Sequence, residues 1–260
     1  MGPWGNLGQA HEAGIAVGAD TDLMEQAWWS PGLTHPDGRS AFALWFTGGI
    51  FVDQEGKRFV NESAAYDRIG RVVVDRIASG AMTLPFWMIY DDREGTVPPV
   101  KATNVSMVET QQYVDAGLWH TADTLAELAG KIGVPAEQLQ ATVDQFNSYV
   151  DAQQDLDFGR GDEAYDRAFS AGKCPMVRID KAPFHAARFG VSDLGTKGGL
   201  RTDTTGNVLD IHGHPIVGLY AAGNTMAAPS GYAYPGGGNP IGTSMLFSHL
   251  AVRDMLERTP

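Results

Sequence analysis

Residues 234–242 read YPGGGNPIG, and the apolar run TSMLFSHLAV follows at once over residues 243–252. A phenol, a run of glycines and a helix start are thereby brought to one place. The glycines at 236, 237 and 238 carry no Cβ, so a flat ligand can come close to their peptide N–H groups. Gly242 and a helix predicted from Thr243 to Arg258 aim unpaired N–H groups and a positive dipole end at the same spot. Negative charge is favoured there, as on the anionic edge of a redox ring or on a ketone oxygen becoming an enolate, and Tyr234 can add a phenolic hydrogen bond. On spacing alone the stretch reads equally well as an ordinary glycine-rich loop before a helix.

Upstream of this stretch, GGLRTDTTGNVLD (198–210) and GHPIVGLYAAGN (213–224) alternate extended runs with Gly/Asn turns, which reads as short strands and hairpins. The middle of the chain has another texture. ADTLAELAGKIG (122–133) and PAEQLQATVDQFNSYVDAQ (135–153) are two helices, the second with Pro135 at its first turn, and so short a connection predicts an antiparallel pair. PFWMIYDD (85–92) is a buried strand and RIGRVVVDRIASG (68–80) an amphipathic helix ending on Gly80. AFALWFTGGIFVD (41–53), turning at QEGK into RFVNES (58–63), predicts a β-hairpin. DLDFGRGDEAYDRAF (155–169) is expected to be a solvated loop, and its order does not match a calcium-binding loop. A first helix spans Gln9 to Val17, with Asn6 near its cap and Gly18 just beyond its end. Boundaries fall near residues 28 and 190.

Totals restrict the classes. With 260 residues the chain can bury a substantial core without staples. A net charge of -12 repels phosphate backbones and anionic lipid surfaces, so neither nucleic acid nor a membrane surface is an expected partner. No apolar run is long enough to span a bilayer. The opening lacks the pattern of a signal peptide. Cys174, the single cysteine, cannot form an internal disulfide; it reads as a small filler near a loop in a reducing, cytoplasmic setting.

Tyr66, in GKRFVNESAAYDR (56–68), is a second phenol of interest. To take a proton from a weakly acidic C–H it needs its ordinary pKa of about 10 lowered by a cation or by a helix start; taken alone it reads more simply as a partly buried tyrosine with a satisfied hydroxyl. His212 and His214 have a spacing seen in metal sites, but they sit in a turn without thiolates or a carboxylate cluster and read as turn residues. There is no G-x-S-x-G, hence no nucleophile elbow, and no G-x-G-x-x-G between a strand and a helix to cradle a pyrophosphate.

GKRFVNESAAYD, DFGRG, DLGTKGGLRTD, GLYAAGN and YPGGGNPIG occur in this order, and together they resemble the C-terminal half of FAD-dependent 3-ketosteroid dehydrogenases, within the fumarate reductase and succinate dehydrogenase flavoprotein group. GKRFVNES and GLYAAGN mark the wider group; DLGTKGG and YPGGG mark its ketosteroid-type members. The resemblance covers nearly the whole chain. It implies a mixed fold, α+β and α/β: a partial FAD-binding domain made of C-terminal segments, with an inserted α+β substrate domain. Residues 1–27 would end the first FAD-domain segment, 28–190 would be the substrate domain and 191–260 would return to the FAD domain.

Roles follow as implications of that resemblance. Tyr234 and the N–H of Gly238 would hold the ketone at carbon 3, Tyr66 would remove a proton from carbon 2, and flavin N5 would accept a hydride from carbon 1. Gly223, Asn224, Asn239, Ile241 and Gly242 would contact FAD. The partner would be a small cyclic ketone or steroid, together with a chain supplying the FAD-binding half that this sequence does not show. The phenol that the family supplies from that other half has no counterpart here, although Tyr232 lies close by. A fumarate-type reductase is the competing enzyme reading; its relatives carry an arginine where Tyr66 stands and clamp dicarboxylates with arginine and histidines, where this chain has Tyr66, Pro235 and Gly195. A silent fragment, or one half of a pair whose flavin-facing surface seeks a partner, is the third.

Overall fold

The computed structural model describes residues 7–168 and 170–258; Asn6, expected near the first helix cap, lies outside them. In chain order the first elements are α1 (Gln9–Ala16), β1 (Thr21–Asp22), β2 (Ala27–Thr34), β3 (Ser40–Phe46), β4 (Ile50–Val52), α2 (Tyr66–Ala78) and β5 (Phe86–Asp91). The middle holds β6 (Val100–Thr103), α3 (Thr110–Asp115), β7 (Trp119–Ala122), α4 (Leu125–Ile132), α5 (Ala136–Ala152) and α6 (Ala164–Ala168). Then come β8 (Phe184–Thr196), β9 (Gly199–Leu200), β10 (Asn207–Leu209), β11 (Pro215–Tyr220) and α7 (Asn239–Arg258). The described residues divide into two compact units: residues 29–192, and residues 7–28 together with 193–258.

In the first unit a seven-stranded sheet runs in the order β4-β5-β8-β2-β3-β6, with β7 also paired to β8. Every residue of β5 is buried, as a strand covered on both faces requires. Its side chains part with period two: Phe86, Met88 and Tyr90 enter one hydrophobic cluster, with Ile69 and Val73 of α2 and Tyr113 of α3. Trp87 and Ile89 enter another, with Leu125 and Leu128 of α4 and Leu139, Val143 and Phe146 of α5. Helix α2 comes close to β2 because residue 70 is glycine; a Cβ there would lie 2.5 Å from the carbonyl carbon of Trp29.

One expectation fails in this unit and another holds only in part. The hairpin over residues 41–63 does not form: β3 pairs with β2 and β6, β4 pairs with β5, and beyond the turn only a single bridge joins Val52 to Arg58. The turn itself is present, with the Gly56 N–H bonded to the Asp53 carbonyl at 3.0 Å. Past it, side chains take over from the ladder, because Glu62 Oε1 accepts the Phe51 N–H at 3.0 Å. The segment 155–168 is a solvated loop only in part, with residues 156–158 and 162–165 exposed. It carries Arg160 and Asp155, 1% and 3% exposed, into the interior, and part of it coils into α6. Acidic composition suggested solvation, but paired charges can be buried where each finds its partner.

In the second unit β1 pairs with β9 and β10 with β11, both antiparallel. Its core joins Ala19, Leu200, Val208, Ala221 and Met226, with Phe247 of α7 packed against it. Helix α7 begins at Asn239 and not at Thr243. Pro240 and Gly242 are taken into its first turn, where proline is tolerated since its missing N–H would have no intrahelical acceptor. Only Ala251 of α7 is buried, while Ile241, Met245, Leu246, Val252 and Leu256 are exposed. Among the described residues no helix is long and apolar enough to cross a membrane.

Candidate active site

Tyr66 is the first residue of α2, the end at which aligned peptide dipoles favour negative charge. It is 8% exposed, and its ring packs edge-on against Phe42 with centroids 5.0 Å apart. Tyr66 also lines a small cleft with Glu62, Ser63, Tyr165 and Asp166, which leaves about 10 Å³ for the centre of a water molecule.

The segment leading to Tyr66 is held by buried charges. Glu62 Oε2 lies 2.8 Å from Arg58 and 3.1 Å from Arg160, and Asp155 lies 2.8 Å from Arg58. Arg160 also donates to the Gly49 carbonyl at 2.7 Å and to Ser63 Oγ at 2.9 Å. The rings of Phe146 and Phe158 face the Arg58 guanidinium at 5.0 and 5.1 Å. Burial works against the charge on Arg58, but Glu62 and Asp155 outweigh it and hold the group protonated. For Asp155 burial pushes upward, yet the Arg58 hydrogen bond and charge and the Arg160 and Phe158 N–H groups bring it below the usual carboxylate range. A second clamp runs through Asp166, whose Oδ2 accepts from Asn61 Nδ2 at 3.0 Å and from the Gly161 N–H at 2.9 Å.

In the other unit, Tyr234 packs edge-on against Trp28, ring centroids 6.0 Å apart. Gly236 and Gly238 have φ of 131° and 88°, backbone that L side chains rarely adopt. A Cβ added at either, or at Gly237, would meet nothing within 4 Å, so this run of backbone is open on its Cβ side. Gly242 is a correction: its N–H is not free but donates to the Gly238 carbonyl at 2.8 Å. The peptide N–H groups left without intrahelical acceptors belong to the residues before it, Gly238 and Ile241 among them. Ile241 is exposed, and the side-chain Nδ2 of Asn239 is buried without a hydrogen-bond partner, while its peptide N–H donates to the Gly236 carbonyl at 3.3 Å.

Gly223 and Asn224 open a single 3-10 turn, Gly223–Thr225. This turn packs on α7, since a Cβ at Gly223 would lie 3.1 Å from Ser244 Oγ. The cofactor residues expected from sequence therefore gather around the first turns of α7. None of them lines a cleft of about 540 Å³ in this unit, formed by residues including Asp22, Arg201, Thr204, Pro229, Tyr232 and Phe247. Tyr232 donates to Glu25 Oε1 at 3.1 Å. The Glu25 carboxyl is held below its ordinary value by its own peptide N–H and then by Tyr232. His212 and His214 are both exposed and give their peptide N–H groups to Asp210 Oδ1.

Sequence reasoning missed the buried charges and Lys197. The signal for Arg160 was an arginine between two glycines in an acidic stretch. Lys197 stands likewise between Thr196 and a Gly-Gly pair, in a motif noticed only as a family mark.

Residues 1–241 match the family model described as FAD binding domain. The chain is 37% identical over 262 residues to a "3-oxosteroid 1-dehydrogenase" of Mycobacterium tuberculosis (strain ATCC 25618 / H37Rv), an alignment covering 96% of this chain and 46% of the relative. It is 34% identical to a "4-oxocyclohexanecarboxylate 2-dehydrogenase" of Sinomonas cyclohexanicum, over 95% of this chain and 45% of that one. In three dimensions it is similar to the 3-ketosteroid delta1-dehydrogenase from Sterolibacterium denitrificans solved with 1,4-androstadiene-3,17-dione, with a TM-score of 0.88 and 31% identity over 99% of this chain and 48% of that one. A flavocytochrome c3 fumarate reductase shares the fold at a TM-score of 0.57 and 23% identity. The chain thus spans about half the length of the relatives it matches.

Proposed function

This chain belongs to the FAD-binding-domain family, and on that premise we propose that it carries the substrate-handling half of an FAD-dependent dehydrogenase that introduces a double bond beside the carbonyl of a 3-ketosteroid or a related cyclic ketone. One observation carries the reading: a Cβ-free backbone run, Gly236–Gly238, lies open between Tyr234 and the start of α7. The residues fit the flavin too. The Asn239 side-chain Nδ2 is a buried donor without a partner, and the N–H groups ahead of α7 suit an electron-rich ring edge or a phosphate. Gly223, Asn224, Asn239 and Ile241 would hold the cofactor; Gly242 would contribute close approach only, its N–H being used within the helix.

FAD, when bound, supplies the two-electron oxidant. The chain's own part is proton and charge handling. Tyr234 and the Gly238 N–H would hold the ketone oxygen at carbon 3 and stabilise the negative charge it gains, and Tyr66 would take the proton from carbon 2. A fumarate-type reaction is disfavoured because Tyr66, Pro235 and Gly195 place no cation where a dianion needs one. The exposed apolar side chains of α7 would be covered by the dinucleotide-binding segment that the flavin requires, on the same polypeptide or on a partner chain.

Reduction of an artificial electron acceptor with a 3-ketosteroid, set against oxidation of a reduced dye with fumarate, tests the reading on FAD-loaded protein. Turnover in the first assay supports it. Turnover in the second alone would replace it with the reductase.

A further inference from the structure

Lys197 is fully buried, at 0% exposure. Its Nζ donates to the carbonyls of Tyr232 and Ala233 at 3.2 and 3.1 Å. It also sits 4.2 Å from the centre of the Trp28 ring, and Trp28 is the residue against whose edge Tyr234 packs. Two peptide carbonyls and an indole face offer electron density to the amine, which suits an ammonium and offsets the cost of burying its charge. The base of the side chain is fixed as well, since the Lys197 N–H donates to the Gln26 carbonyl at 3.0 Å and its carbonyl accepts from the Ala228 N–H at 2.8 Å. Behind it the backbone has no slack: a Cβ at Gly198 would lie 2.6 Å from the Met24 Cα, and one at Gly199 2.5 Å from the Met226 carbonyl carbon.

We infer that Lys197 and Trp28 are positioning residues for the phenol and the glycine run. The two carbonyls that the ammonium takes belong to the residues immediately before Tyr234, and the ring that faces the ammonium also fixes the plane of the Tyr234 ring. A stretch containing Gly231, Gly236, Gly237 and Gly238 has little intrinsic preference for one conformation. The clamp selects one, before any ligand arrives. That the selected conformation serves ketone binding rests on the function proposed above; that Lys197 orders the loop does not.

Lys197→Met separates the two claims. Amide hydrogen exchange over residues 231–239 should quicken at least tenfold, while the β10-β11 hairpin of the same unit and the β5 peptides of the other keep their rates. In FAD-loaded protein kcat on a 3-ketosteroid should fall on the order of a hundredfold with KM within about threefold, the signature of misplaced groups. Lys197→Arg, which keeps the charge and its donors, should restore part of both, and Trp28→Phe should fall between. Should Lys197→Met fail to fold, these two milder variants carry the test by the same exchange measurement. Unchanged exchange over 231–239 would overturn the inference, as would a quickening shared by every peptide of the unit. Quickened exchange in a protein that oxidises no ketone would leave the clamp standing and remove the function.

Discussion

The peptide N–H of Gly242 donates to the carbonyl of Gly238 at 2.8 Å, which makes Gly238 the residue at which the glycine run becomes helix α7. Gly238 thus carries a positive φ of 88°, accepts the first helical bond and presents its own N–H ahead of it. Gly238→Ala should cost about 1–2 kcal/mol from the left-handed conformation, and the methyl group would stand in the open approach to the backbone. The expected outcome is a modest loss in thermal melting and a larger loss in affinity for a cyclic ketone, read by titration. Unchanged affinity would move the ketone site away from this residue.

Tyr66→Phe should lower kcat on a 3-ketosteroid by roughly a hundredfold or more, the usual range for loss of a positioned acid or base. The ring still packs against Phe42, so melting should change little. Intact turnover would show that another group takes the proton.

Tyr234→Phe should also cost about a hundredfold, as loss of one donor to a developing oxyanion does. Binding of a phenolic mimic of the enolate should weaken in parallel with kcat/KM. If that ligand binds as tightly as before, the Tyr234 hydroxyl does not touch the oxygen.

Arg160→Met breaks the buried group formed with Glu62, and removal of one partner from such a pair typically costs about 3–5 kcal/mol. Urea unfolding should show this loss. A double variant with Glu62→Leu should lose less than the sum of the two single losses, since the 3.1 Å contact the two residues share is then removed only once.

Stability should fall in mild acid. Burial holds His35 and His185 below the ordinary histidine value, Asp92 opposing the shift at His185. The unfolded chain, with histidines near 6.5, binds these protons more readily than the folded one. Their contribution is therefore complete above about pH 6.5 and is lost as pH drops toward the lowered folded values. Asp155, also lowered, adds a second loss below about pH 4. Unfolding free energy at pH 5.5 should be smaller than at pH 7.5, and His35→Gln should flatten the difference. Equal stability at both pH values would contradict the assignment.

Elements with a strong period were legible before the fold was known. The amphipathic α2 and the pair α4 and α5 follow from spacing, and the buried strand Phe86–Asp91 from its density of aromatic residues. What escaped was decided by partners distant in sequence. The 41–63 segment contains two good strand runs, yet each finds a different neighbour, and no local pattern encodes that. The 155–169 segment looks solvated because its charges are visible and their partners, Arg58 and Glu62, lie about a hundred residues away. At the candidate site the residue types of the 234–242 stretch were readable, but the helix start was misplaced by four residues, because Pro240 and Gly242 look like breakers and the first turn tolerates both. Lys197 was invisible as a positioning group, since nothing in its own neighbourhood announces the indole of Trp28.

Anaerobic addition of a 3-ketosteroid to the FAD-loaded protein, followed by optical spectroscopy and mass analysis of the steroid, tests the central claim most directly. The account predicts that the yellow of oxidised flavin bleaches and that the recovered steroid is lighter by two hydrogens. A flavin that binds but stays oxidised in the presence of excess steroid and other cyclic ketones would contradict it.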